Sequence, residues 1–152
     1  MIRSFPQAMA FLNRFTDYER MSGVRATPRT YNLKRTRALL DAVGNPQNSF
    51  DSIHIAGTKG KGSTAHMLET LLRADRRRTG LYTSPHLVHM LERIRINGRP
   101  VTERDFTWAM NRLEPAARRL RPTYFELMTA AAFLLFKRAR VEHHQRRGRR
   151  VL

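Results

Sequence analysis

Apolar side chains recur every three or four residues in five stretches of the chain. This spacing gathers them on one face of an α-helix, so each stretch is predicted to form an amphipathic helix. The predicted helices cover residues 4 to about 20, about 32 to 43, 64 to 75, 102 to 113 and 123 to 136. Gly44 and Pro46 follow the second helix as stop signals.

Shorter apolar stretches predict strands. Ile53 and Ile55 flank a histidine in a run that reads as a buried strand, and residues 79–83 read as a second strand. A third, over 92–96, ends at Asn97-Gly98, a dipeptide typical of tight turns. Because the predicted 64–75 helix connects the first two strands, the order is βαβ, which predicts a parallel sheet flanked by helices.

A glycine-rich stretch separates the first predicted strand from its helix. It reads Gly57-Thr58-Lys59-Gly60-Lys61-Gly62-Ser63. Glycines let successive N–H groups converge, the helix N-terminus attracts oxyanions, a lysine reaches the outer phosphates and a hydroxyl can bind Mg²⁺. The long form of such loops has four residues between its first two glycines, whereas only two lie between Gly57 and Gly60. The alternative interpretation is a flexible glycine turn with incidental lysines. The coincidence of strand, glycines, Gly-Lys pair and helix favours phosphate binding.

Composition restricts the class of protein further. The 152 residues have room for one domain with a core, and 41% hydrophobic residues fit a globular chain. We expect no membrane association, because no run of about 18 apolar residues and no secretory signal is present. With no cysteine in the sequence, disulfides and thiolate metal sites are excluded, which fits a cytoplasmic location.

The net charge of +17 raises nucleic acid as a partner. Residues 137–152 alone hold seven Lys/Arg against one Glu, and they show almost no apolar periodicity. We therefore divide the chain into a folded part, 1–136, and a basic tail, 137–152, expected to be disordered or a frayed helical extension. Arginine spread over helix faces reflects compositional bias as readily as function, so nucleic acid is not the favoured partner.

Three further positions carry candidate chemistry. Ser84 follows the second strand, at the edge where open α/β sheets bind ligands. His86 and His89 have a spacing seen in metal sites, but without an acidic partner a metal site there is not favoured. Glu126 fits a capping box with Thr123, and this structural role and a ligand-binding role are equally supported.

Four motifs in order resemble one family. They are Gly57 to Ser63, Leu81-Tyr82-Thr83-Ser84-Pro85-His86-Leu87, Glu92-Arg93-Ile94-Arg95-Ile96-Asn97-Gly98, and Thr123-Tyr124-Phe125-Glu126. Over about residues 1–138 the chain resembles folylpolyglutamate synthase/dihydrofolate synthase, of the Mur ligase superfamily. The resemblance implies the N-terminal part of a P-loop ATP-binding domain of the Mur-ligase type, with a parallel sheet.

The resemblance also implies an activity. ATP phosphorylates a carboxylate of folate or dihydropteroate, and the amine of L-glutamate attacks the acyl phosphate to form an amide. By resemblance, Lys61 is catalytic within the ATP-binding loop, and Ser63 and Ser84 lie at Mg²⁺. The residues implied to line the folate or pteroate pocket are Ser84, Pro85, His86, Thr123, Phe125, Glu126, Asn32 and Arg35.

The chain departs from the family after Phe136. Family members continue into an apolar strand that carries a glutamate within a glycine-rich motif. That glutamate and a later histidine are metal ligands in the family, and a C-terminal domain then binds the substrate glutamate. Here an arginine-rich run follows Val141, and it resembles out-of-frame translation of GC-rich DNA. We expect a truncated or frameshifted copy of the N-terminal ATP-binding domain, with little or no activity alone. The alternative is a basic protein that binds nucleotides or nucleic acid without ligase chemistry.

Overall fold

The computed structural model describes residues 1–18 and 32–142. The helices of these two ranges are α1 (Phe5–Leu12), α2 (Leu33–Asp41), α3 (Lys61–Ala74), α4 (Glu103–Leu120) and α5 (Tyr124–Arg138). The strands are β1 (Gly80–Tyr82), β2 (Ile94–Ile96) and β3 (Arg99–Pro100), and 3₁₀ turns cover Pro46–Ser49 and Met90–Arg93. The end of the first predicted helix, over 19–20, and most of the predicted basic tail lie outside the described residues. No helix in the described ranges is long and apolar enough to span a bilayer.

The core is helical and centres on α4 and α5. In α4, Phe106, Met110 and Leu113 recur at helical spacing and are fully buried, as the sequence predicts. Helix α5 is buried on several sides because α4, α2 and the Pro46–Ser49 turn all pack against it. Three small residues in its middle, Ala130 to Ala132, allow this close packing and are inaccessible to solvent.

The sheet differs from the prediction. Strands β1, β2 and β3 form an antiparallel sheet in that order, with Gly80 opposite Ile96 and Tyr82 opposite Ile94. A turn at Asn97 and Gly98 connects β2 to β3, and both residues have positive φ angles, 49° and 76°, as the Asn-Gly dipeptide predicts. The predicted parallel sheet is therefore wrong for the described residues, because β1 takes β2 as its partner rather than the segment over 53–55.

The segment over 51–57 forms no strand, and its predicted buried residue Ile53 is 66% exposed. A strand needs a neighbouring strand to accept and donate its backbone hydrogen bonds, and among the described residues no strand pairs with this segment. The alternation of apolar and polar residues does not reveal whether such a neighbour exists. Glu142 contacts a residue just before each of the two stretches that were predicted to pair. Its carbonyl accepts from the Asp51 N–H at 3.4 Å, and its own N–H donates to the Arg78 carbonyl at 3.1 Å.

Helix α3 is oriented differently from the prediction as well. Met67 and Leu71, which helical spacing places on the apolar side of this helix, are 68% and 67% exposed, whereas Glu69 is buried. The Glu69 carboxylate accepts a hydrogen bond from the Thr79 hydroxyl at 2.6 Å and pairs with the Arg73 guanidinium at 2.9 Å. The Thr79 contact holds the Glu69 side of α3 against the stretch that leads into β1, so Met67 and Leu71 face solvent while Leu68 and Leu72 are half-buried.

Candidate functional site

The glycine-rich loop leads directly into α3. Gly60 has a φ angle of 75°, in the left-handed region that favours glycine, and α3 begins at the next residue, Lys61. No side chain caps this helix N-terminus. The first N–H groups of a helix have no partners within the helix, so this end offers unsatisfied donors and the positive end of the helix dipole to an anion.

Lys61 lies over the carbonyl groups of the same loop. Its Nζ donates to the Gly57 carbonyl at 2.8 Å and to the Thr58 carbonyl at 3.3 Å. Neutral carbonyl oxygens hold an ammonium less strongly than charged oxygens do, so phosphate oxygens could replace them. Ser63, in the first turn of α3, is exposed. The loop, the uncapped helix and Lys61 together match the requirements of a phosphate site.

A second group of predicted residues follows β1. Ser84 and Pro85 are exposed, and the peptide bond between them is cis. The Nδ1 atom of His86 accepts a hydrogen bond from Arg93 Nε at 2.9 Å. The Arg93 guanidinium in turn lies 5.5 Å from the centre of the Tyr124 ring. Arg93 therefore connects the Ser84–His86 turn to the first residue of α5.

Glu126 occupies the third group and is only 3% exposed. Its carboxylate accepts from the N–H groups of Thr123 and Asn32, both at 2.8 Å, and from Arg35 through Nε at 2.6 Å and Nη2 at 2.9 Å. The Thr123 hydroxyl accepts from the Glu126 N–H at 3.2 Å, which confirms the predicted capping box. Four donors thus surround two oxygens, and the carboxylate holds the start of α2 against the start of α5.

These contacts bring together predicted residues that are far apart in the sequence. We call the set the candidate pteroate wall; its members are Ser84, Pro85, His86, Asn32, Arg35, Thr123, Phe125 and Glu126. Arg93 connects His86 to Tyr124, and Glu126 connects α5 to Asn32 and Arg35. The Phe125 ring lies 6.1 Å from that of Tyr82 in β1. The wall is therefore one connected part of the structure.

No role was predicted from the sequence for Glu92 or Arg93. The available signal was a Glu-Arg pair that opens the predicted 92–96 strand, where a buried charge such as that of Arg93 is unusual. The Glu92 carboxylate accepts from the N–H groups of Leu87 and His89, at 3.3 and 3.0 Å, so it contacts the same segment as Arg93. Both residues therefore belong to the description of the site.

The candidate-site residues supply only part of the ligand set that a Mg²⁺ ion needs. Within the described ranges, no group of three or more histidine or carboxylate side chains is close enough to hold a metal. The predicted Mg²⁺ contacts, Ser63 and Ser84, are exposed hydroxyls. Mg²⁺ in proteins is bound through carboxylates together with substrate phosphates, so these hydroxyls alone do not make a site for it.

Acid should destabilise the fold through two carboxylates. Burial raises the pKa of Glu126, but hydrogen bonds from Arg35, Thr123 and Asn32 outweigh it, so the pKa is lowered overall. The pKa of Glu114 is lowered mainly by its hydrogen bond from Arg118. A lowered pKa in the folded state gives stability that is present above the unfolded value, about 4.3, and is lost as the pH falls through the folded value.

Urea unfolding between pH 3 and pH 8 measures this effect. The midpoint should hold steady near neutral pH and fall below about pH 4.5. Replacing both carboxylates by Glu114→Gln and Glu126→Gln should make the acid fall shallower. An equally steep fall in the double variant would place the acid sensitivity in other groups.

Comparisons with known proteins indicate the family of the chain. The dihydrofolate synthase/folylpolyglutamate synthase of Mycobacterium tuberculosis is 42% identical over 123 residues, which cover 72% of this chain and 25% of that protein. The Bacillus subtilis protein of the same name is 36% identical over 110 residues, covering 68% and 26%. No protein-family model matches the chain.

Solved structures give the same result. Folylpolyglutamate synthase from Thermotoga maritima superposes with a TM-score of 0.78 at 33% identity, over 90% of this chain and 31% of that one. The M. tuberculosis folylpolyglutamate synthase complexed with ADP gives 0.77 at 36% identity, covering 90% and 30%. A complex of folylpolyglutamate synthase with AMPPCP and folate gives 0.78 at 31% identity.

The fold and the loop thus define an α/β segment of the Mur-ligase type. Its relatives extend well beyond it, because the chain spans about a quarter of the length of the curated proteins it matches. The chain belongs to the folylpolyglutamate synthase/dihydrofolate synthase family, and the resemblance drawn from its motifs is confirmed.

Proposed function

We propose that this chain forms the nucleotide- and pteroate-binding part of an ATP-dependent ligase. The ligase adds L-glutamate to a carboxylate of folate or dihydropteroate through an acyl phosphate. The uncapped start of α3, with Lys61 held over the loop carbonyls, is the observation that carries the proposal. Relatives crystallised with ADP, and with AMPPCP and folate, support both halves of the site.

The geometry supports a division of roles. The N–H groups of residues 57–63 and the start of α3 hold the phosphates of ATP, and Lys61 exchanges its carbonyl partners for the β- and γ-phosphate oxygens. A cation fixed there stabilises the charge that develops during phosphoryl transfer. Arg35, whose guanidinium is paired with the Glu126 carboxylate, belongs to the candidate pteroate wall that would hold the folate or dihydropteroate substrate. The amine donor, L-glutamate, has no assigned residue among those described.

We expect little or no ligase turnover from these 152 residues alone. The described residues supply hydroxyls rather than a carboxylate cluster for Mg²⁺, and the chain spans only about a quarter of the length of its curated relatives. The assay is ADP release in the presence of both a folate and glutamate. Release that depends on both substrates would show that this portion suffices for the reaction.

ATP binding tests the phosphate loop directly. Lys61→Ala should weaken ATP binding by about 10- to 100-fold, because it removes a charge-assisted contact worth about 1.5–3 kcal/mol. Isothermal titration calorimetry at moderate salt measures the change. Lys34→Ala is the matched control, since it removes the same charge from an exposed position on α2.

The two variants separate site binding from general attraction. A basic chain that attracts ATP only by charge would lose affinity equally in both variants and would release ATP steeply with rising salt. That result would contradict the proposed loop function and favour the alternative of a basic polyanion-binding protein. Loss confined to Lys61→Ala supports the ligase proposal.

A further inference from the structure

We propose that Glu92 and Arg93 are positioning residues that set the conformation of residues 83–89 before any ligand binds. This inference rests on the proposed function, because that segment contributes Ser84 and His86 to the candidate pteroate wall. The proposal assigns these two neighbours a task in substrate binding. The family motif over residues 92–98 contains both residues, but no role was predicted for either of them from it.

Arg93 holds the first half of the segment in two ways. Its side chain, 2% exposed, donates from Nε to Nδ1 of His86, and its carbonyl accepts from the Thr83 N–H at 2.9 Å. A guanidinium donates hydrogen bonds and never accepts them. The Nδ1 atom of His86 must therefore be the unprotonated nitrogen, and the ring proton lies on Nε2.

Arg93 is itself fixed by packing. Its guanidinium lies 5.5 Å from the centre of the Tyr124 ring, and the Tyr124 N–H donates to the Thr16 carbonyl at 3.0 Å. A buried cation against an aromatic face is restrained more strongly than an exposed one. The position of His86 is thus set by the rigid start of α5 rather than by its own exposed turn.

Glu92 holds the second half of the segment. Its two carboxylate oxygens accept from the N–H groups of His89 and Leu87, at 3.0 and 3.3 Å. The hydrogen bond from the His89 N–H lowers the pKa of Glu92, so the carboxylate stays charged near neutral pH. The Glu92 carboxylate therefore fixes the end of the segment, just before the Met90–Arg93 turn begins.

Together the two residues contact positions 83, 86, 87 and 89, and Ser84 and Pro85 lie between these fixed points. A segment that is already ordered loses less conformational entropy when a ligand binds. Removing the Arg93 contact would therefore weaken ligand binding even where Arg93 does not touch the ligand. A residue that only stabilised the fold would change the unfolding transition and leave the His86 ring unaffected.

The first experiment needs no variant. Long-range ¹H–¹⁵N correlation spectra of the histidine rings at pH 8 should show the His86 proton on Nε2, with an unprotonated Nδ1 that accepts a hydrogen bond. His89 is the internal reference, because its Nδ1 accepts from the Leu91 N–H at 3.3 Å. Exposed His66 should show averaged tautomers, and His86→Asn identifies the signals. A His86 proton on Nδ1 would overturn the proposal.

The second experiment measures binding of pteroate by fluorescence. Arg93→Met should shift the His86 signals and weaken pteroate binding about tenfold or more, the equivalent of one hydrogen bond to a charged group. Arg93→Lys, which can still donate, should recover part of both. Arg99→Met, at an exposed position of β3, should change neither.

The outcomes separate this inference from the proposed function. Unchanged His86 signals and unchanged binding in Arg93→Met would overturn the positioning role. If the wild-type chain binds no pteroate, the proposed function fails, and the positioning role is decided by the ring signals alone. If Arg93→Met does not fold, the wild-type spectrum and the Arg93→Lys variant decide it.

Discussion

Replacing Glu126 with alanine should lower the free energy of unfolding by about 3–5 kcal/mol. The carboxylate is 3% exposed and receives four hydrogen bonds, one each from the Thr123 and Asn32 N–H groups and two from the Arg35 guanidinium. Its removal leaves the Arg35 charge and two backbone N–H groups without their acceptor. It also removes half of the capping box that begins α5.

Urea denaturation followed by circular dichroism measures this loss. Glu103→Ala is the matched control, because Glu103 also lies in the first turn of a helix, α4, but is exposed. For Glu103→Ala, the loss in the free energy of unfolding should stay within about 1 kcal/mol, the value of a favourable charge near a helix end. A similarly small loss for Glu126→Ala would show that the buried pair adds nothing beyond an ordinary helix cap.

Phe136→Ala should cost about 3–5 kcal/mol as well. The Phe136 ring is buried near the end of α5 and meets the Phe50 ring edge-on at 5.7 Å. It also covers Gly80 of β1, where a Cβ atom would lie 2.5 Å from the ring. Losing the ring therefore opens a cavity between the helical core and the sheet, and thermal or urea unfolding will measure its cost.

A double-mutant cycle tests the same contact from the glycine side. Gly80→Ala alone should destabilise by about 1–3 kcal/mol, because the added methyl cannot fit against the ring. In the Phe136→Ala background the methyl has room, so the Gly80→Ala cost should largely disappear. Equal costs in the two backgrounds would mean that the strand moves away from the ring without penalty.

Local patterns were predictable because one short stretch of chain decides each of them. The Thr123–Glu126 capping box depends on a spacing of three residues, and the Asn97-Gly98 turn on two adjacent residues with positive φ. The glycine-rich loop leads into a helix at Lys61 for the same reason. These features, together with four family motifs, indicated the family from the sequence alone.

Features that depend on distant partners were not predictable. The 53–55 stretch has the pattern of a strand, but its pairing depends on residues far along the chain. Helix α3 turns Glu69 inward because Thr79, outside the helix, offers it a partner, and helical spacing contains no such information. Arg93 was missed because its burial follows from a contact with Tyr124.

The contacts of Glu126 and Glu142 also determine when parts of the fold can form during synthesis of the chain. Ribosomes add roughly 5–20 residues per second, and domains begin to fold during synthesis. Asn32 meets its partner Glu126 only 94 positions later, and Asp51 meets Glu142 after a comparable stretch. On the nascent chain, the Asn32 and Arg35 part of the candidate pteroate wall can therefore form only several seconds after α2 is made. The segment that leads into the glycine-rich loop gains its contact with Glu142 later still.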